Sequence, residues 1–409
     1  MIKLAILAFL FGITMARPRW SLYLILLASP LLVVYQSVGW DLRLWLVYLL
    51  GVRALLAVTG AHIISNARLI AAATLFFAIA EVVLQLRSSI VPPDDASSAQ
   101  QAFLYFFAGA LFAFAASQLL QNVAHYRWAL TCVAIVVSYT TVYAVWERFF
   151  ASAEAQLRVG STLINPNSLG AYASLCALTL LISRQLIDSR SWRFVIWAGA
   201  FLSMTGVVLS LSRASILALT AALVALWATR GNKITGKRAL TAVTGSVVLM
   251  AVLVTAIRGI RVSAGGADAA SQRGTEIAQS MEDLTRYEAA TYSLKQWSKH
   301  PVFGVGFMLF QGINYKDTGF YITTHDTALE LLVGTGLVGV TLLAYIAGQL
   351  WKKLFREGRF MVFPVMVWFG INSLFGDFAQ ALELTTLLAI AYLMARRISF
   401  QNNPGPISG

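Results

Sequence analysis

His325 closes the stretch Thr323-Thr324-His325-Asp326, where a long polar segment meets an apolar run. A neutral imidazole accepts a proton near neutral pH, so a histidine at this boundary suits a general base that activates an acceptor hydroxyl. The same position also suits a helix N-terminal histidine bonded to Thr323, Thr324 and Asp326. Arg213, in Leu209-Ser210-Leu211-Ser212-Arg213-Ala214-Ser215, stands between two apolar runs whose connection is too short for an ordinary surface loop. A guanidinium held there calls for an anion, and a phosphate or pyrophosphate offers matching bidentate geometry. The alternative is an arginine that snorkels to the interface. Arg286 offers a second arm for a diphosphate clamp, although Glu282, four residues earlier, makes a solvated ion pair the commoner outcome. Two arginines suit a diphosphate leaving group because they stabilise developing negative charge without a metal.

Asn165-Pro166-Asn167-Ser168 reads first as a turn and helix start, and its exposed amides also suit a sugar. Arg158, a little upstream, adds a further anion contact. The chain holds no GxSxG elbow, HExxH helix or Walker A loop, which leaves serine hydrolase, zinc protease and ATP-driven chemistry without support. Asp94-Asp95 alone is a poor metal site, so no metal or cofactor is expected. Asp377 and Glu383 fall near the outer ends of the last apolar runs, where they can pair with cations. Cys132 and Cys176 both lie inside apolar runs and form neither a disulfide framework nor a zinc motif.

These residues are carried by a very apolar chain. Over 409 residues, 58% are hydrophobic and 12% charged, with a mean hydropathy of +0.71. An ordinary soluble domain carries roughly 25% charged residues. Repeated runs of about 20 apolar residues match a hydrocarbon core of about 30 Å, and the lack of period-two alternation speaks against a β-barrel. The expectation is an all-α polytopic membrane protein in a lipid bilayer, with about twelve transmembrane helices. Candidate spans fall near 2–15, 20–36, 44–60, 68–87, 101–121, 127–148, 167–187, 192–209, 213–229, 239–258, 326–350, 360–378 and 380–396. The net charge of +13 would suggest nucleic acid in a soluble protein; here it reports sidedness, and no nucleic acid is expected. Arg17/Arg19, Arg184/Arg190/Arg193, Arg230/Lys233/Lys237/Arg238, Lys352/Lys353/Arg356/Arg359 and Arg396/Arg397 mark the inner side. Alternating crossings then put 88–100, 149–166 and 259–325 outside. The last of these loops balances six basic against six acidic residues, unlike the cationic inner loops.

The chain divides into a bundle over 1–258, the large outer loop over 259–325 and C-terminal helices with a short inner tail over 326–409. Residues 263–274 of the loop are small and Gly-rich. From Met281 to His300, ended by Pro301, apolar residues recur at helical spacing at Met281, Leu284 and Tyr287, then at Ala290, Leu294 and Trp297. A helix near the membrane surface is expected there.

Five segments, in order and spacing, resemble the O-antigen ligase and polymerase family over roughly residues 155–350. They are Val159-Gly160-Ser161-Thr162 leading to Asn165-Pro166-Asn167; Ser212-Arg213-Ala214-Ser215; His300-Pro301-Val302-Phe303-Gly304-Val305-Gly306-Phe307; Thr324-His325-Asp326-Thr327-Ala328-Leu329-Glu330-Leu331-Leu332; and Gly334-Thr335-Gly336-Leu337-Val338-Gly339. The resemblance implies a C-type membrane glycosyltransferase of the bacterial inner membrane. Such an enzyme takes a glycan from undecaprenyl diphosphate at the periplasmic face, by a metal-independent inverting displacement. It also implies that His325 is the catalytic histidine and that Arg213 and Arg286 engage the diphosphate. Asp326 stands where asparagine is common in the family, and a carboxylate there favours the charged imidazole and shifts the pH dependence of the base. The single dominant outer loop favours a ligase whose acceptor is lipid A–core oligosaccharide. A polymerase extending a lipid-linked repeat and a protein O-oligosaccharyltransferase are the alternatives within the family. A lipid-linked sugar transporter is the alternative outside it, although the chain lacks the internal repeat that such folds carry.

Overall fold

A computed structural model describes residues 2–31, 41–58, 66–150, 161–163, 165–187, 189–229, 288–318, 326–356, 360–374 and 381–402. Among the described residues every regular element is helical, as the composition requires. The helices are α1 (Ile2–Ala16), α2 (Pro18–Ala28), α3 (Leu42–Leu56), α4 (Ala67–Arg87), α5 (Pro93–Leu119), α6 (Val123–Phe150), α7 (Pro166–Ser183), α8 (Arg190–Ser210) and α9 (Arg213–Thr229). They continue with α10 (288–299), then α11 (Phe310–Thr318), α12 (Thr327–Arg356), α13 (Phe363–Ser373) and α14 (Leu382–Asn402). Six segments are long and apolar enough to cross a membrane unaided: Ala67–Ile90, Pro93–Leu119, Val123–Phe150, Pro166–Leu186, Arg190–Ser210 and Thr327–Lys352. Ile6–Ala16, Arg213–Thr229 and Phe363–Ser373 are shorter apolar helices. The expected span 239–258 and the Gly-rich stretch 263–274 lie outside the described residues.

The bundle is organised around α7. Leu169 through Leu180 are buried without a break, because α6, α8, α9, α13 and α14 all pack on this one helix. Lipid tails offer no hydrophobic drive between helices, so close approach depends on small residues. Gly199 and Gly206 of α8 supply it: a methyl added at Gly206 would lie 3.1 Å from the Ala173 methyl, and one at Gly199 3.0 Å from Leu180. On the opposite flank, Trp368 of α13 donates its indole N–H to Ser174 Oγ at 2.8 Å.

A second, smaller core joins the end of α4 and the start of α5 to residues 305–313 and to Val333 of α12. Phe307 is its centre, with ring centroids 5.7 Å from Phe103 and 5.4 Å from Phe106. This cluster ties the polar-loop residues after Pro301 to the membrane helices.

Chain direction places 87–95, 161–163, 165–169, 211–213, 326–330, 374 and 381–382 at one end of the bundle, the end the charge pattern is expected to put outside. Beneath that end lies a buried ion network. Arg43 Nη2 pairs with Asp41 Oδ2 at 2.6 Å, and its Nη1 lies 3.5 Å from Glu383 Oε2. Arg43 Nη1 also donates to the Ser29 carbonyl, and Tyr105 donates to Asp41 at 2.9 Å. Glu383 thus has the cationic partner expected of it, supplied by α3 from far away in sequence; Asp377 lies outside the described residues. The network welds α2, α3, α5 and α14 together.

The helix expected in the large loop is present over 288–299; residues 281–287 lie outside the described residues. Its buried face is not the one the apolar spacing picks out. Ala289, Ser293 and Gln296 are buried, whereas Leu294 is 48% exposed. The reason is polar: Tyr292 donates to Asp317 of α11, and Gln296 donates to the same carboxylate at 2.9 Å. α10 docks through hydrogen bonds and leaves its leucine outward.

Candidate active site

This end of the bundle is assembled from three backbone devices. In the first, α12 is broken at Gly336, which sits at φ 65°, ψ −168°. A break exposes carbonyls on one side and N–H groups on the other, and all must be satisfied when buried. Residues 301–306 satisfy four of them. Val305 N–H and Gly306 N–H donate to the carbonyls of Val333 (2.8 Å) and Gly334 (3.0 Å), while Leu337 N–H and Val338 N–H donate to those of Pro301 (2.9 Å) and Val302 (3.1 Å). Glycine is required at the contact. A Cβ on Gly336 would collide with the Val302 carbonyl and lie 2.5 Å from Gly304 N, and one on Gly304 would lie 2.5 Å from the Val333 carbonyl. This clasp fixes the direction of the short half-helix that begins at Thr327.

Asp326 starts that half-helix as its N-cap. Its Oδ1 accepts from Ala328 N–H at 2.8 Å and Leu329 N–H at 3.1 Å, two of the donors a helix start leaves unpaired. Asparagine caps in the same way, which accounts physically for an Asp or Asn at this position. His325 is the residue immediately before the cap, and it lies outside the described residues, as do Arg286 and Arg158.

The second device is the start of α7. Asn165 caps it, accepting from Asn167 N–H at 2.8 Å, and Pro166 occupies the first helical position. The turn and helix-start reading of this motif therefore holds. Upstream, Ser161 sits at φ 54° and is pinned to α6. Its N–H donates to Glu147 at 2.7 Å, and its hydroxyl donates to the Thr140 carbonyl at 2.6 Å.

The third is the α8–α9 turn. Leu211 holds φ 50°, a left-handed conformation that costs a non-glycine residue about 1–2 kcal/mol. Ser215 Oγ donates to Ser212 Oγ at 3.0 Å, and Ser210 Oγ accepts from Ser212 N–H at 3.2 Å while donating to the Val207 carbonyl at 2.8 Å. Gly170 of α7 faces this turn so closely that a Cβ would lie 2.6 Å from Ser210 Oγ and 2.7 Å from Ser212 Cβ. The Asn165–Gly170 motif and the Ser212–Ser215 motif are therefore two halves of one shoulder. Arg213 opens α9 from it, exposed, and no hydrogen bond or ion pair holds its guanidinium among the described residues. A cation at a helix N-terminus opposes the helix dipole, so nothing in α9 stabilises it there; an incoming anion would.

Residues 198–344 match the family described as O-Antigen ligase. Over that stretch the chain is similar to the O-antigen ligase family. The stretch runs from α8 through the broken part of α12, so it includes the Arg213 turn, the clasp and Asp326. No curated protein matches the chain.

Within the matched residues the structure draws attention to two residues that the sequence did not single out for chemistry. Glu330 is only 2% exposed, one turn after Asp326, with its N–H bonded to the Asp326 carbonyl at 2.9 Å. A buried carboxylate this near the cap was visible only as a letter in a motif. His300 faces Arg87 of α4, with its Nδ1 3.2 Å from Arg87 Nη2. Burial, then the Arg87 and Lys299 charges, push its pKa down, which keeps the ring neutral and able to accept from the guanidinium. An open recess of about 510 Å³ lined by Ile90, Val91, Pro92, Tyr315 and Lys316 lies nearby, and none of the sequence-predicted site residues lines it.

Proposed function

We propose that the protein is an O-antigen ligase. It transfers a glycan from undecaprenyl diphosphate to lipid A–core oligosaccharide at the periplasmic face of the bacterial inner membrane, without metal or cofactor. The observation that carries this reading is Arg213. It is exposed, lacks a protein partner among the described residues, and is locked beside the Asn165 cap by the Gly170 contact. That is a built position for a guanidinium awaiting an anion.

In the proposed reaction His325 takes the proton of the acceptor hydroxyl, whose oxygen attacks the anomeric carbon. The bond from that carbon to the diphosphate oxygen breaks, and its electron pair leaves with the diphosphate. Arg213 and Arg286 stabilise the growing negative charge, and attack opposite the leaving group inverts the anomeric centre. The proton on His325 then passes to solvent. Asn165 and Asn167, with Arg158, border the sugar and phosphate side, and Asp326 fixes the half-helix beside the base. Residues 259–325 act as an outer loop that closes over a site built on the ends of the helices.

Acceptor exchange tests this reading. Purified protein in liposomes, without an ion gradient, receives the lipid-linked glycan together with either lipid A–core or a second lipid-linked repeat. Glycan on lipid A–core, lost in Arg213→Ala, supports the ligase. Product only on the lipid-linked repeat would make it a polymerase, and donor that crosses the bilayer with no new glycosidic bond would make it a transporter.

A further inference from the structure

The proposed reaction needs two membrane-anchored substrates, and the shoulder that carries Arg213 serves only the diphosphate donor. At the same end of the bundle the recess of about 510 Å³ is lined by none of the shoulder residues. Its volume falls within the roughly 300–1,000 Å³ of small-molecule sites. One wall is Ile90-Val91-Pro92, the connection between α4 and α5; the other is Tyr315 and Lys316 of α11. The walls are held together. Lys316 Nζ donates to the Ile90 carbonyl at 2.9 Å. One turn earlier, Gly312 comes so close that a Cβ there would lie 2.7 Å from Asp95 Cβ and 3.1 Å from Val91 Cβ. Asp317 in turn ties α11 to α10 by accepting from Tyr292 and Gln296. The recess is thus built by packed elements rather than left between loops.

Its lining combines a cation, an aromatic ring and an apolar track. Lys316 is exposed, and its one bond to Ile90 leaves ammonium N–H donors over. No carboxylate among the described residues pairs with it; the ion pairs recorded there belong to Arg43. Tyr315 is 39% exposed and offers an apolar face with a polar tip, which suits a hydroxylated ring. Ile90 lines the recess and continues down α4 into Leu86 and Val82, 75% and 55% exposed. Leu86 and Val82 lie on the side of α4 turned away from its buried Ala80 and Leu84. A free phosphate would use the lysine alone and leave the rest of the recess and the track empty. A glycolipid uses all three: anion on Lys316, sugar in the recess, acyl chains on α4.

We propose that this recess binds the phosphorylated sugar headgroup of the glycolipid acceptor, with Lys316 on the phosphate, Tyr315 against the sugar ring and the acyl chains along Ile90, Leu86 and Val82. The acceptor's identity rests on the ligase reading, so the site is tested first by binding without donor. Full-length protein in detergent is titrated by native mass spectrometry with lipid A–core, with the same core oligosaccharide freed of its acyl chains, and with phosphatidylglycerol. Lipid A–core should bind about tenfold more tightly than either of the others. Lys316→Gln should weaken it by about tenfold, and Tyr315→Ala several-fold. Lys295→Gln, which removes an exposed cation of α10, should leave it unchanged. In transfer assays Lys316→Gln should raise the KM for lipid A–core by about tenfold and leave the KM for donor and kcat alone. Full affinity in Lys316→Gln, an equal loss in Lys295→Gln, or equally tight binding of the acyl-free core or of phosphatidylglycerol would each overturn the proposal. Wild-type protein that binds lipid A–core through Lys316 yet forms no glycosidic bond would support the site and overturn the ligase reading.

Discussion

Replacing Gly336 by alanine should break the clasp that aims the half-helix after Asp326. At φ 65°, ψ −168° the backbone is in a region that essentially only glycine enters, and a side chain there costs about 1–3 kcal/mol. The added Cβ also meets the Val302 carbonyl and lies 2.5 Å from Gly304 N, so residues 301–304 must move away. That movement removes the Leu337–Pro301 and Val338–Val302 hydrogen bonds, each worth about 0.5–1.5 kcal/mol. Together these come to about 2–6 kcal/mol, a large part of the stability of an ordinary domain. Gly348→Ala is the matched control, since it lies in the same helix and a Cβ there meets nothing within 4 Å. Its effect should be neutral or stabilising by about 0.5–1 kcal/mol. Thermal melting in detergent and glycan transfer in liposomes are measured side by side. Gly336→Ala should melt several degrees lower and lose most transfer, while Gly348→Ala keeps both. A Gly336→Ala protein that melts with the wild type and transfers at its rate would refute the reasoning.

Arg43→Ala strands the buried carboxylates of Asp41 and Glu383 and should destabilise the protein by about 3–5 kcal/mol, read as a lowered melting temperature. Gly170→Ala forces a methyl against Ser210, Ser212 and Ser215, an overpacking of about 1–3 kcal/mol. It should displace the Arg213 turn and raise the KM for donor in transfer assays, with a smaller effect on melting. His300 has a folded-state pKa pushed below its ordinary value by burial, Arg87 and Lys299. Its contribution is therefore complete above the unfolded pKa near 6.5 and is lost as pH falls through the folded value. Melting followed from about pH 8 to pH 5 should fall more steeply in the wild type than in His300→Gln.

How much of this was legible in the sequence depended on how local each cause is. The six long apolar helices, the Asn165 cap and the Arg213 turn rest on apolar length and on neighbours within a few residues, and among the described residues they stand where the sequence puts them. The motifs 300–307 and 334–339 were visible as segments, but their reason was not. Each supplies the backbone partners that the other lacks, and no periodicity within either one records a contact across thirty positions. Glu383 announced its need for a cation, whereas nothing near it named Arg43. The face of α10 was misjudged because hydrophobic spacing finds a core only where the core is apolar. Here Asp317 draws Tyr292 and Gln296 inward, and Leu294 turns out. Glu330 was overlooked because a glutamate on an apolar helix carries no sign of its burial until the fold closes over it.

The central claim is that this chain forms a glycosidic bond with His325 as the base. Its most direct test is single-turnover transfer by purified wild-type and His325→Ala proteins with lipid-linked glycan and lipid A–core in gradient-free liposomes. Loss of a general base removes about 10²–10⁴ of the rate, so the variant should show transfer reduced to that extent with unchanged melting. A folded His325→Ala protein that transfers at the wild-type rate would contradict the account.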